Sequence, residues 1–465
     1  MVESLKSVQQ KVRAFLAHNV DLASLVNDIN AAGGTALLVG GAVRDLFLGI
    51  VSKDIDVEVY GLTLNHLQEI LKRCGRVSLV GKSFGVLRVA GLNVDWSLPR
   101  IDSAGRKPLV TIDPFMPFSD AFRRRDLTIN ALGINLKTLV LVDPFGGRRD
   151  LRLKILRAPD NKLFIEDPLR FFRVMQFIGR FGMRPHAELN EVCAAMDIHA
   201  VSRERVEEEF KKLFCKSKRP SLGIDWLRQI KRLGDILPEV CALCGVKQDR
   251  TYHPEGDVYV HTLQTLDAAA QIAVQHDTDR VLLCWAALCH DLGKARTTHQ
   301  WADGRISSHD HETVGVVLAK KLLRRFTRDQ SLIAGVCKLT RHHMQPGQFI
   351  KNRAKPAAYK RLALALAPEI TIELLAQFAC ADKRARNAHG MRPLRGGCSA
   401  ELLFLRRARR ACVDRQPEKP VLLGRDLIGV IKPGPHMGML LKQAYQIQLK
   451  EGITNKKILK KRVLS

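Results

Sequence analysis

The chain has few aromatic residues and no long apolar run. Aromatic side chains make up 6% of its 465 residues, which argues against a surface built mainly of base-stacking platforms. No apolar stretch approaches the roughly 20 residues that a membrane-spanning helix needs. Residues 1–30 mix charged with spaced apolar side chains and lack the apolar centre of a signal peptide. We therefore expect a cytoplasmic protein that has no membrane partner.

Cysteine is present, but its spacing matches neither a disulfide framework nor a zinc ribbon. The 11 cysteines are scattered along the chain, and the CxxC formed by Cys241 and Cys244 has no second pair at zinc-ribbon distance. Such a pattern is typical of free thiols in a reducing compartment. We therefore expect no metal site at Cys241 and Cys244.

What the chain has in excess is positive charge. It carries 75 Lys and Arg residues against 47 Asp and Glu residues, a formal net charge of +28. The excess recurs in clusters along the whole chain, at 123–125, 148–149, 216–219, 406–410 and 456–462. A polyanion such as RNA is the natural partner, and its binding would weaken as salt rises. Charge alone also allows a solvated basic surface.

Two patterns of secondary structure follow one another along the chain. Residues 1–32 show the periodicity of one or two amphipathic helices. A strand at Ala36–Gly40, a helix at Val43–Leu48 and a strand at Asp54–Tyr60 then begin an α/β unit that extends to about residue 150. Beyond Arg157 helical spacing dominates, including the stretches 163–180 and 260–276, and the Pro-containing stretches near 346–356 and 414–420 are candidate linkers. The predicted class is α+β, with a small N-terminal α/β domain followed by mostly α-helical domains.

Acidic residues and a Gly-Gly turn mark the first candidate site. Asp54 and Asp56 lie two apart in a predicted strand, so period-two alternation puts both carboxylates on one face. Paired carboxylates suit Mg²⁺. The turn at Gly40 and Gly41 precedes a helix whose N-terminus would attract a triphosphate. Asp95 is the candidate third carboxylate, as a metal ligand or as the base that acts on an attacking 3′-hydroxyl.

In this order the motifs predict metal-assisted transfer from a nucleoside triphosphate. A DxD or a Gly-Gly turn taken alone is more often a surface turn or a helix cap. Here further motifs follow at 124–131, 143–151 and 166–173. With 40–56, they resemble the motifs of class II CCA-adding enzymes and poly(A) polymerases, a family of the polymerase-β-type nucleotidyltransferase superfamily. The resemblance implies that ATP- and CTP-derived nucleotides are added to the 3′ end of tRNA without a template.

The resemblance also implies roles for individual residues at the nucleotide. Asp126 would accept a hydrogen bond from the ribose 2′-hydroxyl and so select ribonucleotides. Arg44 and Arg125 would neutralise the triphosphate, and Asn130 would help to position the nucleotide.

A second set of implied roles concerns the choice of base. Asp167 and Arg170, with Arg173 in the same motif, would present an acceptor and donors to the base edge in place of a template. The alternative is an ordinary helical ion pair between residues three apart. Met175 and Gln176 stand where many CCA-adding enzymes have a small residue and Arg. A poly(A) polymerase, or an enzyme that adds only CC or only A, therefore stays open.

Histidines and aspartates form a second candidate site in the C-terminal half, at His261, His290, Asp291 and Asp382. Imidazole and carboxylate ligands suit a divalent metal that activates water. His311, His342 and His343 are further candidate ligands or phosphate contacts. The order H…HD…D resembles the HD phosphohydrolase domain, which several bacterial CCA-adding enzymes carry. The resemblance implies hydrolysis with Mg, Mn, Ni or Co, whereas a degenerate domain would only shape the RNA-binding surface.

These observations predict five regions. They are an N-terminal helical extension (1–32), a nucleotidyltransferase domain (33–157), a helical nucleotide-selecting and RNA-binding domain (158–250), an HD phosphohydrolase-like domain (251–390) and a helical RNA-binding tail (391–465). A hypothesis of another class is an HD phosphohydrolase with an N-terminal domain that only binds RNA. A non-enzymatic RNA-binding protein is a further alternative, and the acidic pair disfavours both.

Overall fold

The computed structural model describes residues 2–52, 54–80, 85–102, 110–388 and 392–465. The chain divides into two compact units, Met1–Glu209 and Phe210–Ser465. The first unit contains a seven-stranded sheet, and the second is almost entirely helical. The predicted α+β class is thus confirmed. In the described part of the chain, no helix combines the length and the apolar character that a membrane span requires.

The helices of the first unit surround its sheet and continue beyond it. They are α1 Leu5–His18, α2 Val20–Ala31, α3 Gly41–Phe47, α4 Leu64–Leu71, α5 Phe118–Arg123, α6 Gly147–Leu153, α7 Asn161–Phe164, α8 Leu169–Phe181, α9 Ala187–Ala195 and α10 Arg203–Lys216, the last of which crosses the unit boundary. Because α1 and α2 occupy most of residues 1–32, the predicted helical start of the chain is confirmed.

The strands of the first unit form one large sheet and two small ones. They are β1 Thr35–Val39, β2 Asp56–Tyr60, β3 Val77–Val80, β4 Val86–Val89, β5 Asp95–Ser97, β6 Arg100–Asp102, β7 Val110–Ile112, β8 Gly133–Asn135, β9 Leu141–Val142, β10 Ile155–Leu156 and β11 Arg184–Pro185. The large sheet has the order β3-β4-β5-β2-β1-β8-β9. The β2–β5 pairing is parallel, while the other pairs in this sheet are antiparallel.

Strand β2 lies in the middle of the sheet, between β5 and β1. Val57 and Val59 are fully buried, as β-branched side chains in a central strand should be. The strand begins at Asp56, so Asp54 lies two residues before it. The prediction that both aspartates occupy the strand is wrong for Asp54.

The helical region predicted at 163–180 is divided in two. Helix α7 ends at Phe164 and α8 begins at Leu169, with Pro168 as its N-cap residue. The ring of Pro168 provides no N–H for a preceding turn, so a continuous helix through this position is unfavourable. The break places residues 165–168 in a connection rather than within one helix.

The second unit is a helical array with one short hairpin. Its elements are α11 Ser221–Gln229, α12 Leu233–Ile236, α13 Pro238–Cys241, α14 Val258–Ala270, α15 Asp277–Cys289, α16 Lys294–Thr297, β12 Thr298–Gln300, β13 Ile306–Ser308, α17 His311–Phe326, α18 Gln330–His342, α19 Gln345–Lys351, α20 Pro356–Leu366, α21 Ile372–Arg384, α22 Ser399–Arg410, α23 Pro435–Glu451 and α24 Lys456–Leu464.

Aromatic side chains form one centre of packing in the second unit. The ring of Trp285 lies 5.1–5.2 Å, centroid to centroid, from the rings of Phe210, Phe214 and Phe326. This cluster joins α10, α15 and α17. It therefore fixes the helix that leads into the His290–Asp291 pair.

Two predicted element boundaries in the second unit need correction. The helix predicted over 260–276 ends at Ala270, and His276 caps the next helix. The Pro-containing stretch 346–356, predicted as a linker, mostly forms α19. The five predicted region boundaries stay predictions, and the one at 390/391 lies outside the described residues.

Candidate functional site

The first site starts where two parallel strands begin. Asp56 is the first residue of β2, Asp95 is the first residue of β5, and the two are register partners. Asp54 lies just before β2. The sheet therefore brings Asp56 and Asp95 together from positions that are distant in the sequence.

Mutual repulsion among carboxylates characterises this edge of the sheet. Partial desolvation raises the pKa of Asp56, and the charges of Asp95 and Asp54 raise it further, although the charge of Arg125 opposes the rise. A carboxylate in such surroundings is stabilised by a divalent cation. The donor set of Asp54, Asp56 and Asp95 therefore fits Mg²⁺.

Asp95 is bound by Arg88, a residue that the sequence reasoning missed. Arg88 on β4 binds both carboxylate oxygens of Asp95, with Nη2 donating to Oδ2 over 2.7 Å. The oxygens of the three aspartates do not all lie within 4.8 Å of one another in the described structure. The antiparallel pairing of β4 with β5 sets Arg88 opposite Asp95. A prediction of that pairing would have identified Arg88 as the partner of Asp95.

The Gly-Gly turn lies beside Arg125. Gly40 has φ +72°, and a Cβ atom there would lie 2.8 Å from Nη1 of Arg125. Only glycine meets both the conformation and the close approach without strain. Helix α3 begins at the next residue, Gly41. The structure thus brings together the predicted turn, the helix start and Arg125.

Arg125 is oriented by Glu58, another residue that the sequence reasoning missed. Its Nη2 donates to Oε2 of Glu58 over 2.7 Å, and the Tyr60 hydroxyl donates to Oε1 over 3.0 Å. The available signal was the strand alternation, because Glu58 follows Asp56 by two residues and shares its face. Glu58 thus holds a cation close to the acidic edge.

Arg44 does not face open solvent. Its guanidinium forms an ion pair with Asp45 over 2.7 Å and donates to Oδ1 of Asn130. The rings of Phe177 and Phe181 lie 5.2 and 5.0 Å from its central carbon. The structure therefore places Arg44 and Asn130 together in a buried network, and the predicted triphosphate contact of Arg44 stays a prediction.

Asp126 is buried but ionised. It accepts hydrogen bonds from Nδ2 of Asn130 over 2.9 Å and from Nε of Arg173 over 2.6 Å. Burial raises its pKa, but the charge of Arg173 and these hydrogen bonds lower it below the ordinary value. Asp126, Asn130 and Arg173 therefore form one rigid polar group.

Asp167 and Arg170 lie close in sequence but bind different partners. Arg170 donates to the carbonyl oxygens of Leu163 and Arg124 over 2.7 and 2.6 Å. Asp167 pairs with Arg205 over 3.2 Å. Within the described residues the two do not pair with each other, so the simple helical ion pair considered from the sequence is not formed. Arg205 is the partner that the sequence reasoning missed.

The second site is buried and compact. His261 and His290 are fully buried, and Asp291 and Asp382 are nearly so. Nε2 of His261 lies 2.8 Å from Oδ1 of Asp382, and Nε2 of His290 lies 3.3 Å from Oδ2 of Asp291. The structure brings together all four residues that the H…HD…D pattern predicts.

Backbone carbonyls orient three of the imidazole rings in this cluster. Nδ1 lies 3.0 Å from the Ala287 carbonyl in His290, 2.7 Å from the Ser308 carbonyl in His311 and 2.8 Å from the Thr340 carbonyl in His343. A carbonyl only accepts, so each Nδ1 carries the proton in the neutral ring. Each Nε2 is then an unprotonated nitrogen that can act as a metal ligand.

His261 is oriented by a carboxylate instead. Its Nδ1 lies 2.7 Å from Oε1 of the fully buried Glu255, which also lies 2.9 Å from Nδ1 of His253. Metal-binding histidines commonly donate their other N–H to such a group, which raises their basicity. The sequence reasoning missed Glu255 and His253, although both lie within ten residues of His261 in HPEGDVYVH.

His311 and His343 form a second group around Asp291. Their Nε2 atoms lie 3.4 and 3.9 Å from Oδ1 of Asp291. The other carboxylate oxygen, Oδ2, lies 2.7 Å from Nζ of Lys294. Burial raises the pKa of Asp291, but the charges of His290 and Lys294 bring it well below the ordinary value.

The donor chemistry of this cluster fits a divalent metal. The ligand atoms of His261, His290 and Asp382 all lie within 4.8 Å of one another. Nε2 of His290 and Oδ1 of Asp291 are buried without a hydrogen-bond partner. Unpartnered buried polar atoms are costly, and a metal ion would satisfy both.

A glycine sets the spacing of the second site. A Cβ atom on Gly293 would lie 1.9 Å from the carbonyl oxygen of His311. The turn after Asp291 therefore packs its backbone directly against the start of α17. This contact keeps His311 close to Asp291.

Two family profiles match the chain. The profile described as Poly A polymerase head domain matches residues 36–157, and the HD domain profile matches residues 258–384. The two matched segments contain, respectively, the acidic edge with its Gly-Gly turn and the buried His/Asp cluster.

Curated relatives and solved structures resemble most of the chain. The "Multifunctional CCA protein" of Stenotrophomonas maltophilia is 34% identical over 315 residues, 65% of this chain and 74% of the relative. That of Hahella chejuensis is 31% identical over 407 residues, 83% and 90% of the two chains. The Thermotoga maritima CCA-adding enzyme complexed with tRNA gives a TM-score of 0.61 at 19% identity, covering 100% of this chain and 99% of the other. A CCA-adding enzyme in complex with CTP gives 0.64 at 19% identity, covering 99% and 98%.

Proposed function

Because the chain belongs to the family of multifunctional CCA proteins, we propose that it is a nucleotidyltransferase that adds CTP- and ATP-derived nucleotides to the 3′ end of tRNA. The observation that carries this proposal is the acidic edge, where Asp56 and Asp95 begin adjacent strands beside Gly40 and Arg125. The net charge of +28 suits an RNA substrate. Such a substrate agrees with the cytoplasmic location expected from the sequence.

Asp54, Asp56 and Asp95 are the residues that would hold Mg²⁺. When bound, the metal would neutralise the triphosphate and make the 3′-hydroxyl easier to deprotonate. To hold the metal or to accept the hydroxyl proton, Asp95 would have to release Arg88. Arg88, once released, lies beside the acidic edge as a free cation for the triphosphate.

Binding of the nucleotide uses groups that are already ordered. Arg125, held by Glu58, meets the phosphates beside Gly40. Asp126 is kept ionised by Arg173, so it can accept the hydrogen bond of a ribose 2′-hydroxyl. Preorganisation of this kind reduces the entropy lost when the nucleotide binds.

Selection of the base requires the exchange of existing hydrogen bonds. The guanidinium of Arg170 donates to two carbonyls, and the carboxylate of Asp167 accepts from Arg205. A base edge would replace the Arg205 contact with donors and acceptors of its own. Asp167 and Arg170 then read the base in place of a template.

The buried cluster supports a second activity, hydrolysis of phosphoesters. His261, His290, Asp291 and Asp382 would hold Mg, Mn, Ni or Co, and the metal would activate a water molecule. Asp291 is kept ionised by His290 and Lys294. His311 and His343 lie near the other oxygen of Asp291, Oδ1. They would act as further metal ligands or contact the phosphate.

The decisive experiment measures incorporation into defined RNA ends. Purified protein is given CTP and ATP, singly and together with Mg²⁺. The acceptors are tRNA transcripts that end before CCA or after CC, and an unrelated RNA. We expect incorporation to stop at CCA, and no incorporation into any acceptor would reject the transferase proposal.

Poly(A) addition and partial addition remain second candidates because of Met175 and Gln176. Gln176 is buried in α8 and its Nε2 has no hydrogen-bond partner. An unsatisfied amide at this place would alter the helix that carries Arg170 and Arg173. A long A tract, or growth by CC alone or A alone, would select among these candidates in the same experiment.

A further inference from the structure

Two thiols and a carboxylate meet between α21 and α22, away from the ligand atoms of the His/Asp cluster. Cys380 lies in α21, Cys398 is the N-cap residue of α22, and Glu401 lies in the first turn of α22. Their ligand atoms, two Sγ atoms and a carboxylate oxygen, all lie within 4.8 Å of one another. Neither transferase nor phosphoesterase chemistry uses any of these side chains.

One oxygen of the carboxylate in this cluster, Oε2 of Glu401, lacks a hydrogen-bond partner among the described residues. Glu401 is 8% exposed, and its Oε2 is buried with no hydrogen-bond partner in the described structure. Burial raises the pKa of Glu401 above the ordinary value, and the charge of Asp382 adds to the rise, although a backbone N–H and the charges of Lys383 and Arg386 oppose it. A buried carboxylate oxygen without a donor is costly. A cation in contact with Oε2 would offset that cost.

The two thiols supply the other ligand atoms. Sγ of Cys398 is buried and lies 3.5 Å from the carbonyl oxygen of Cys380, so the segment before α22 is already folded back onto α21. Both cysteines are free thiols. Sulfur ligands favour zinc over calcium and magnesium, and zinc also accepts a carboxylate oxygen.

We propose that Cys380, Cys398 and Glu401 form a structural site for a divalent cation of the zinc class. On binding, each thiol loses its proton to solvent and forms one metal–sulfur bond, while Glu401 supplies one oxygen. Water completes the four-coordinate shell. No electron is transferred, so no oxidant is needed.

Such a site would close the segment between Cys380 and Cys398. A cross-link of this length restricts the unfolded chain and so stabilises the folded one. Cys380 lies two residues before Asp382, on the same helix. The cation would therefore also fix the end of α21 that follows Asp382. Its residues belong to neither proposed enzymatic site, so cation binding can be tested separately from both activities.

Cobalt(II) titration of the full-length chain tests the proposal. Thiolate–cobalt bonds give a near-ultraviolet charge-transfer band that nitrogen and oxygen ligands do not produce. The His/Asp cluster and the acidic edge can therefore bind cobalt without contributing to the signal. We expect the band in the parent protein and its loss in Cys380→Ser and in Cys398→Ser. We expect Glu401→Gln to retain the band but to require more cobalt.

Cys412→Ser is the matched control, because Cys412 is an exposed thiol outside the cluster. The band should be unchanged in this variant. Circular dichroism of each variant shows whether it is folded, and Glu401→Gln keeps both thiols if a serine variant does not fold. No band in the parent protein, or a band that survives both serine variants, overturns the proposal.

Thiol counting in denaturant tests the alternative that Cys380 and Cys398 form a disulfide. Eleven reactive thiols are expected from the 11 cysteines of the sequence. A count two lower that is restored by reductant would mean a Cys380–Cys398 disulfide, which overturns the metal site. CCA addition by the same samples is measured in parallel. Its failure would reject the proposed function and leave the metal site standing.

Discussion

The acidic edge of the first unit and the His/Asp cluster of the second are organised in opposite ways. At the acidic edge Asp54 and Asp56 are exposed, and Asp95 is bound by an arginine rather than gathered with them. In the cluster the ligand atoms of His261, His290 and Asp382 are buried and lie within 4.8 Å of one another, and carbonyls or Glu255 orient the rings. The proposed nucleotidyl transfer requires the first site to admit a nucleotide and an RNA end, whereas the proposed hydrolysis requires only a phosphoester at the second.

The difference shows which groups fix the positions of the side chains in each site. The acidic edge is completed by its substrate, because a nucleoside triphosphate brings oxygen ligands and negative charge of its own. The cluster is ordered by its own hydrogen bonds, in which backbone carbonyls or Glu255 hold the Nδ1 side of each ring and Nε2 points toward the other ligand atoms. We expect mutations at the edge to act on catalysis, and mutations in the cluster to act first on metal affinity.

The sharpest test of this comparison is Asp56→Ala. Loss of a central carboxylate should lower nucleotide incorporation by roughly 10³-fold or more, since metal ligands supply several kcal/mol to the transition state. Hydrolysis of 2′,3′-cyclic phosphates should be unchanged. Both rates are measured on the same preparation, with the exposed Asp120→Ala as the control. A folded Asp56→Ala protein that loses both activities would contradict the two-site description.

The reciprocal change is Asp291→Ala. Because the oxygens of Asp291 lie near His290, His311 and Lys294, we expect the loss of hydrolysis and of metal binding, with tRNA incorporation retained. Metal content after gel filtration is the second measurement. Retained metal with abolished hydrolysis would show that Asp291 serves the substrate rather than the metal.

Glu255→Gln tests whether the preformed orientation of the His261 ring distinguishes the His/Asp cluster from the acidic edge. The amide can keep a hydrogen bond to His261 but removes the charge that makes the ring more basic. Metal affinity should fall roughly 10–100-fold, with the far-ultraviolet spectrum unchanged. Glu312→Gln is the matched control, because Glu312 lies 3.8 Å from Nδ1 of His311, which the Ser308 carbonyl already holds. Equal losses in both variants would remove the special role of Glu255.

Two buried aspartates, one in each unit, have pKa values that are shifted in opposite directions. The two units can therefore be compared by how their stability depends on pH. Arg173 keeps the pKa of Asp126 low, whereas burial raises the pKa of Asp267 to about 6 despite its bonds to Ser221 and Arg219. The folded pKa of Asp267 thus exceeds its unfolded value. Its contribution to stability is full below about pH 4 and is lost as pH rises through about 6.

We therefore expect Asp267→Asn to flatten the dependence of the melting temperature on pH between about 4 and 6, an effect of at most about 3 kcal/mol. The parent protein is measured over the same range, with the surface variant Asp235→Asn as the control. Asp126 behaves with the opposite sign, since its contribution is lost as pH falls. An unchanged profile in Asp267→Asn would show that Asp267 titrates normally.

The smallest expected effect is that of Glu58→Gln. Arg125 would lose a charged acceptor, so the KM for CTP should rise severalfold, corresponding to about 1 kcal/mol, with a smaller change in kcat. Steady-state kinetics at saturating tRNA measure both constants. The exposed Glu69→Gln should match the parent protein. An unaltered KM would mean that Arg125 needs no anchor.

The H…HD…D spacing predicted four residues that the structure brings together in the second site. Helical ends and a turn bring these residues together, and each lies in a local pattern that can be read from the sequence. Glu255 escaped because its role depends on the direction of one imidazole ring. Ring direction is set in three dimensions, so the sequence alone does not display it.

At the first site the sequence predicted Asp56 and Asp95 but not how Asp95 is held. Strand alternation is a local property, whereas the pairing of Arg88 with Asp95 depends on the register of β4 and β5. The burial of Arg44 has a similar cause, because Phe177 and Phe181 come from α8. Distant elements thus decide which side chains remain available to a substrate.

Gly293 carries no ligand atom, yet its lack of a side chain allows the turn after Asp291 to lie close to His311. The carbonyl of His311 occupies the space that a methyl group would need. In a library of random substitutions selected for phosphoesterase activity, this position should tolerate change as poorly as the ligands themselves. A ranking of essential positions by chemistry alone would overlook it. The geometry of a catalytic centre can depend as much on an atom that must be absent as on those that are present.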